Sequence, residues 1–483
     1  MSIRLYLFIM GRMALLNAAA LAIPLVCAML WQENTELSYA MPLVVTLALG
    51  VFLERTGHVH KKQLGVAEGA VYLLSVWFLL GFIGMTPYIL QGLLAPADAF
   101  FESISAYTTT GLSFLDYDVV PNSILLWRSM MEWMGGLNFI ILVVTIIPQV
   151  SGGFGIVLSA HQSIAFSPML TRMDNAAIQT GKVYIAITVL SFVLYFLAGL
   201  APTDALAWSM DTVSTSGTLM SLDVVGNGNI FLELAAILSM IVASCNFLLI
   251  WKAFARKRWL EIFRDHELRT FLGIIAVAGI LISFHLWHTH TFDGLASLRY
   301  GFFAVISFIS TTGLSSTQFT GWPEFDRYAI LFLVFVGGCI GSATGGLRVM
   351  RIIVLFRMAI KEMQRTLHPQ MVISLKIDNV PVPMRIISRV LSFFFLYMSV
   401  FFLSMLIISL SGVTLLQAMG LAAGCPSRVG PQVWPRCVCD TACMDQIVLQ
   451  PGHDSGTDRN LFLPRRHTDC DFPISQQMVT TVA

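Results

Sequence analysis

The sequence predicts an all-α membrane protein built from repeated helical units, and three observations support this fold class. Hydrophobic residues make up 56% of the chain and charged residues 12%, whereas about a quarter of the residues in a soluble domain are charged. Apolar segments recur along most of the 483 residues. A motif of three hydroxyl residues followed by glycine, called a hydroxyl phrase below, occurs three times, at 108–111, 214–217 and 310–313. The net charge of +1 provides no basic surface, so we predict no nucleic-acid partner.

Apolar segments predict the membrane helices, because about 20 apolar residues cross the hydrocarbon core of a bilayer. They cover residues 8–30, 40–52, 66–90, 124–147, 183–200, 230–250, 271–287, 328–354 and 386–411. The first contains three alanines that would also suit a signal peptide, but its length and the spans that follow favour a membrane helix.

Basic residues between the spans indicate which helix ends face the cytoplasm, since Lys and Arg are enriched in cytoplasmic loops. They collect in three loops, at Arg55, Lys61, Lys62, then Lys252, Arg256, Lys257, Arg258, Arg264, then Lys361, Arg365, Lys376, Arg385. The opposite side carries Asp98, Asp116, Asp118, Asp204, Asp223, Glu324 and Asp326. Such acids would concentrate cations; alternatively, they lie outside only because the basic residues are held inside.

Each hydroxyl phrase follows a short predicted helix, at 96–107, 202–213 and 295–309, and precedes another span. This order is outer helix, pore helix, filter and inner helix. Backbone carbonyls can replace the hydration shell of a cation, and glycine adopts unusual backbone angles without placing a side chain in the lumen. We therefore predict an ion-selectivity filter formed by Thr109, Thr110, Gly111, Thr215, Ser216, Gly217, Thr311, Thr312 and Gly313.

Acidic residues in the pore helices distinguish the repeats. Asp98 and Asp204 each stand thirteen residues before a filter glycine, where either could cap its helix, whereas the third repeat has Tyr300. Asp211 stands six residues before Gly217, where the other repeats have serine. Because acids within the membrane are candidates for function, we predict that Asp211 attracts the cation. The alternative is a partnered structural acid.

Four motifs are distinctive, namely Tyr107-Thr-Thr-Thr-Gly-Leu-Ser113, Trp127-Arg-Ser followed by Trp133-Met-Gly-Gly136, Ser310-Thr-Thr-Gly-Leu-Ser315, and Gly337-Gly-Cys-Ile-Gly-Ser-Ala-Thr-Gly-Gly-Leu-Arg348. They resemble motifs of the TrkH/KtrB family of bacterial potassium uptake proteins, and of the TrkH branch in particular. The resemblance covers approximately residues 1–424.

The resemblance implies a pseudo-fourfold pore for potassium in a multi-pass protein of the bacterial inner membrane. It divides the chain into an N-terminal helix pair at 1–62, pore repeats at 63–150, 151–255 and 256–370, and an incomplete fourth repeat at 371–431. It also implies a homodimer in the lipid bilayer that binds a cytoplasmic ring of TrkA-type subunits. No covalently bound cofactor is then expected, and nucleotide acts only through that partner.

A glycine-rich stretch at 337–348 interrupts the third inner helix. Gly337, Gly338, Gly341, Gly345 and Gly346 each cost about 1 kcal/mol relative to alanine in a helix, so an unbroken helix is not expected. The resemblance implies a gating loop beneath the filter; close helix packing through small residues is the alternative. Arg348 is predicted to be either an electrostatic barrier to ions or an interfacial anchor.

The fourth repeat is begun but not completed. A pore helix is predicted at 414–423, and Val429 and Gly430 resemble the filter of the family, but Arg428 stands where the family has asparagine. A guanidinium about 4 Å from a bound cation would cost roughly 4 kcal/mol at an effective dielectric of 20. No later apolar run is long enough to span a membrane.

The composition changes abruptly after Gly424, where cysteines, prolines and histidines crowd together. We expect residues 432–483 to be a disordered tail outside the family sequence, produced by a shift of reading frame near Gly424. The cysteine spacing fits no common zinc site, so no metal beyond the transported potassium is predicted.

The predicted function is potassium uptake through a channel-like subunit, without enzymatic activity, since no nucleophile and base pair is recognisable. An ion-coupled secondary transporter would need inverted repeats around a midplane site, whereas these repeats run in the same direction. A nonconducting, truncated or frameshifted member of the same family is the other alternative, because the fourth repeat lacks its inner helix.

Overall fold

The structure is a computed structural model. It describes residues 3–57, 66–115, 119–145, 169–216, 229–257, 265–317, 319–367, 376–377, 380–382, 384–410 and 412–427. These residues form α-helices with one short 3-10 helix and one small β-hairpin, which confirms the predicted all-α fold class. Several predictions fall outside the described residues, namely those for Gly217, Arg428, Val429, Gly430 and the tail at 432–483. The same holds for the charged loop residues Lys61, Lys62, Asp116, Asp118, Asp223, Arg258 and Arg264.

The first two helices, α1 (Ile3–Trp31) and α2 (Glu36–Thr56), pack side by side as an antiparallel pair. Glycines permit the close approach. A Cβ atom added to Gly11 would lie 2.5 Å from the backbone nitrogen of Glu54, and one added to Gly57 would lie 2.3 Å from that of Phe8.

Two similar helical units follow. The first contains α3 (Val66–Gly84), α4 (Thr86–Leu90), α5 (Pro96–Tyr107) and α6 (Asn122–Thr145). The second contains α7 (Met169–Leu197), α8 (Pro202–Ser214), α9 (Ile230–Ser244) and α10 (Phe247–Arg256). In each unit a long helix precedes a short one that ends at a hydroxyl phrase.

The third unit contains α11 (His266–His288), α12 (Gly294–Ile309), the 3-10 helix (Phe319–Gly321), α13 (Glu324–Val336) and α14 (Val349–Leu367). Two short antiparallel strands, β1 (Lys376–Ile377) and β2 (Val380–Pro381), lead to the last helices. These are α15 (Met384–Ser409) and α16 (Leu415–Ser427).

Five helices of the described part are long and apolar enough to cross a membrane, or six if α9 and α10 count as one bent span. Their outward faces are apolar. On α15, for example, Phe395, Leu403 and Leu406 are exposed. Such a surface fits hydrocarbon lipid and not water.

The short helices agree closely with the sequence prediction, since α5 covers the predicted 96–107 and α8 extends the predicted 202–213 by one residue. Proline at the first helical position explains where both begin. The predicted capping by Asp98 and Asp204 is wrong, because the N-cap residues are alanines and make no side-chain cap hydrogen bond. Both acids lie in the first turn, where the helix dipole favours negative charge.

Two predicted spans are broken in addition to 328–354, which the glycine-rich stretch interrupts. The segment at 230–250 is not one helix, because α9 and α10 meet at an angle of 93°. Asn246 explains the break, since its side-chain oxygen accepts hydrogen bonds from the N–H groups of Leu248 and Leu249 and thereby starts a new helix. The segment at 66–90 also breaks, between α3 and α4.

Candidate functional site

The three hydroxyl phrases share one backbone conformation. The middle hydroxyl residue has a left-handed φ in each, at +54° in Thr109, +52° in Thr215 and +57° in Thr311. The glycines Gly111 and Gly313 follow with φ of +78° and +72°. Left-handed backbone costs an L-residue about 1–2 kcal/mol, so the surrounding contacts must hold each threonine in place.

The same hydrogen bond closes the helix before each phrase. The backbone N–H of the third hydroxyl residue donates to the carbonyl five residues earlier. These bonds join Thr110 to Ser105 at 2.8 Å, Ser216 to Asp211 at 3.3 Å, and Thr312 to Ser307 at 3.0 Å. The repetition extends from sequence to geometry, and it places the carbonyl end of each short helix at its phrase.

A serine side chain also fixes the residue after the glycine in two of the phrases. Ser105 Oγ donates to the carbonyl of Leu112 at 2.6 Å, and Ser307 Oγ donates to the carbonyl of Leu314 at 2.5 Å. Asp211 occupies the corresponding position in the second repeat. Its Oδ2 accepts a hydrogen bond from Ser129 Oγ at 3.1 Å, and its carboxyl group lies within hydrogen-bonding reach of the Glu132 side chain.

A buried ion cluster lies behind the first phrase. Arg128 of α6 donates from Nε to Glu102 of α5 at 2.6 Å and forms a second ion pair with Glu132, one helical turn further along. All three side chains are at most 1% exposed. Arg128 Nη2 also lies 3.3 Å from the carbonyl oxygen of Leu112, directly after Gly111.

Helix α6 also connects the first phrase with the second. Ser216 Oγ donates to the carboxylate of Glu132. A Cβ atom added to Gly135 would lie 2.1 Å from the carbonyl oxygen of Tyr107, and one added to Gly136 would lie 3.1 Å from Cβ of Ser214. The ends of the first and second short helices therefore pack against the same turn of α6.

The glycine-rich stretch at 337–348 is a loop between α13 and α14, as predicted from its composition. Gly337, Gly341 and Gly346 have positive φ values. The two ends of the loop touch each other, since a Cβ atom on Gly337 would lie 2.4 Å from the carbonyl oxygen of Gly345. Arg348, at the end of the loop, is buried and also has a left-handed φ.

This loop contacts the second and third phrases directly. Thr215 Oγ1 donates to the carbonyl of Ala343 at 3.1 Å. The N–H of Gly345 donates to Thr311 Oγ1 at 3.0 Å. Together with the contacts of α6, these bonds link all three phrases into one continuous buried region.

Two neighbouring elements hold the other side of the loop. At the break between α9 and α10, the carbonyl of Ser244 accepts from the N–H of Cys339 at 3.0 Å, and the N–H of Phe247 donates to Gly341 at 3.2 Å. At the start of α11, the buried carboxylate of Glu267 accepts from the N–H of Ile340 at 2.8 Å.

Glu102, Arg128, Glu132 and Glu267 were missed as candidate site residues in the sequence. A signal for two of them was present, because Arg128 and Glu132 are charged, four residues apart and inside an apolar span. Charges in such positions are buried against partners or line a polar site. Nothing local marks Glu267, which lies four residues before the predicted span at 271–287.

Comparison with known proteins shows similarity along most of the chain. The family model described as TrkH, cation transport protein, matches residues 39–433. The Trk system potassium uptake protein TrkH of Halomonas elongata is 30% identical over 438 residues, which cover 89% of this chain and 91% of that protein. The protein of the same name from Escherichia coli is 29% identical over 430 residues, with coverage of 88% and 89%.

A solved structure matches the fold. The crystal structure of the potassium transporter TrkH from Vibrio parahaemolyticus superimposes with a TM-score of 0.81 at 27% sequence identity. The match covers 93% of this chain and 95% of that one.

Proposed function

Because this chain belongs to the TrkH family of cation transport proteins, we propose that it takes up potassium across the bacterial inner membrane as the channel-like subunit of a Trk-type system. The family resemblance predicted from four motifs is thereby confirmed. The proposed activity is transport and involves no chemical step.

The observation that carries this proposal is the repeated conformation of the hydroxyl phrases. Left-handed Thr109, Thr215 and Thr311 each follow a short helix closed by the same hydrogen bond. A dehydrated cation needs several oxygens to replace its hydration shell, and backbone carbonyls supply them without a full fixed charge. Equivalent segments from consecutive repeats could surround one ion with equivalent oxygens.

We assign the filter to the residues predicted from the sequence. Those that the structure describes are Thr109, Thr110, Gly111, Thr215, Ser216, Thr311, Thr312 and Gly313. We assign gating to the loop at 337–348, because two of its backbone groups bond to filter threonines. Movement of the loop would break both bonds, which couples its position to the filter.

We further propose that the protein forms a homodimer and binds a cytoplasmic ring of nucleotide-binding subunits. Relatives at about 30% identity are called Trk system proteins, which supports partner subunits. Nucleotide would then act through the partner, and this chain would provide only the pathway of the transported ion.

A nonconducting member of the family is the second candidate, and Arg428 favours it. A guanidinium beside the filter position of the fourth repeat would repel a cation. Arg428 lies outside the described part of the chain, so transport measurements must distinguish a conducting from a nonconducting protein.

Rescue of a bacterium without its own potassium uptake tests the proposal. The full chain is expressed and growth is followed as external potassium is lowered, alongside a version whose C-terminus is restored from the other reading frames of the gene. The proposed function predicts that one or both versions restore growth at limiting potassium. Failure of both, with each present in the membrane, would contradict it.

A further inference from the structure

Arg128 lies in the second turn of the apolar helix α6, and it is fully buried between two carboxylates. Its Nε atom is 2.6 Å from Glu102 Oε1, and Glu132 pairs with the same guanidinium from the next turn of α6. A buried ion cluster of this kind is often no more stabilising than well-packed apolar residues of similar volume. Stability alone therefore does not explain these three charges.

The cluster contacts the backbone that follows the first filter glycine. Glu102 accepts from Ser113 Oγ and from the N–H of Phe114, both at 2.8 Å. Arg128 Nη2 lies 3.3 Å from the carbonyl oxygen of Leu112. Three consecutive residues after Gly111 are thus bonded to one ion pair.

The cluster also reaches the second phrase, because Glu132 accepts a hydrogen bond from Ser216 Oγ. One end of the ion cluster therefore holds the first phrase and the other end holds the second. Charge-assisted hydrogen bonds are stronger than neutral ones, so they can hold the two phrases at a fixed distance from each other.

Among the three repeats with a hydroxyl phrase, only the first has an acid at the position of Glu102. Glu102 stands nine residues before Gly111, and the corresponding positions in the second and third repeats are Trp208 and Ala304. A lone guanidinium near a cation pathway would repel the ion, but two carboxylates outweigh its charge. The cluster can therefore brace the filter without opposing the entry of a cation.

We propose that Glu102, Arg128 and Glu132 form a specificity-determining brace, which fixes the backbone at 112–114 relative to Ser216 and so sets the preference for potassium over sodium. The proposal rests on the proposed function, since it assumes that the phrases bind the transported cation. The three charged residues are positioning residues that act through the filter backbone.

The test measures ion binding by the purified full chain in detergent. Potassium or sodium is titrated and the rise in melting temperature is followed, because a ligand at concentration L that binds only the folded state stabilises it by RT ln(1 + L/Kd). The ratio of the dissociation constants fitted for the two ions gives the selectivity. This readout does not require conduction.

Two variants weaken the brace to different extents. Glu102→Gln keeps the size of the side chain but has one acceptor oxygen in place of two. It therefore cannot keep the hydrogen bonds from Ser113, Phe114 and Arg128 at the same time. Ser113→Ala removes one hydroxyl group and retains all three charges. Each is expected to reduce the potassium preference about fivefold, the effect of one lost hydrogen bond. Glu54→Gln, in the exposed ion pair with Arg12, is the matched control and should leave the ratio unchanged.

An unchanged ratio in folded Glu102→Gln and Ser113→Ala would overturn the brace while leaving the proposed function intact. If Glu102→Gln does not fold, Ser113→Ala decides alone. A wild-type chain that prefers neither ion would instead contradict the proposed function, and the brace would fail with it.

Discussion

Thr215 of the second hydroxyl phrase donates a hydrogen bond to the backbone carbonyl of Ala343 at 3.1 Å, across 128 positions of the sequence. It joins a candidate filter residue to the middle of the loop proposed as the gate. The position of the loop and the shape of the filter are therefore physically coupled.

Replacing Thr215 by valine should loosen the loop, because valine has the same shape but cannot donate the bond to Ala343. The loss of about 1 kcal/mol corresponds to an approximately fivefold shift between the held and released loop. We expect a comparable rise in rubidium uptake by proteoliposomes without the cytoplasmic partner. Thr366→Val, at an exposed site on α14, is the control. Equal uptake by wild type and Thr215→Val would argue against the gate.

Glu267→Gln should release the other side of the loop. The carboxylate accepts from the N–H of Ile340 at 2.8 Å and also bonds to the N–H of Met350 in the first turn of α14. Glutamine offers one acceptor oxygen in place of two, so one of these buried N–H groups would lose its partner, at a cost of about 1–3 kcal/mol.

The effect of Glu267→Gln is measured by amide hydrogen exchange, which should become about tenfold faster or more at residues 337–350. Glu362→Gln, on the exposed side of α14, provides the comparison. Unaltered exchange in the loop would show that Glu267 does not hold it.

Gly135→Ala should destabilise the protein, since the new methyl group would lie 2.1 Å from the carbonyl oxygen of Tyr107. Overpacking of this kind costs about 1–3 kcal/mol or more. We expect a lower melting temperature and weaker potassium binding, because the first short helix must move. Gly273→Ala is the matched control, as a Cβ atom there meets no atom within 4 Å. Equal melting temperatures for both variants would refute the packing of α6 against the first phrase.

Asp211→Asn distinguishes the two interpretations of this acid. If its charge attracts the cation, uptake at limiting potassium should fall several-fold, with a smaller loss at high potassium. If Asp211 is a structural acid, its bond with Ser129 would matter most, and uptake would fall equally at all potassium concentrations. Glu362→Gln, at an exposed site on α14 away from the short helices, serves as the control.

The repeated architecture could be predicted from local signals. Proline at the first position marked the starts of α5 and α8, and five glycines marked the loop after α13. The break at Asn246 could not be predicted, because the apolar run continues through it and only a side-chain cap marks the point where the chain turns by 93°. Contacts between residues far apart in the sequence could not be predicted either, since nothing near Glu267 indicates the loop that it binds.

The candidate filter residues were predicted from three copies of one phrase, whereas the left-handed backbone that Thr109, Thr215 and Thr311 share is a property that the sequence alone does not specify. Thr109 and Thr311 are unexpected there, because branched residues disfavour positive φ. Hydrogen bonds from the preceding helix compensate for this strain.

Diffraction from crystals grown with rubidium in place of potassium locates the ion directly through its anomalous signal. If the phrases surround one dehydrated cation, the main peak will lie between the backbone oxygens of residues 109–111 and those of 311–313. A rubidium peak elsewhere in the protein, with no peak between these two segments, would contradict that arrangement.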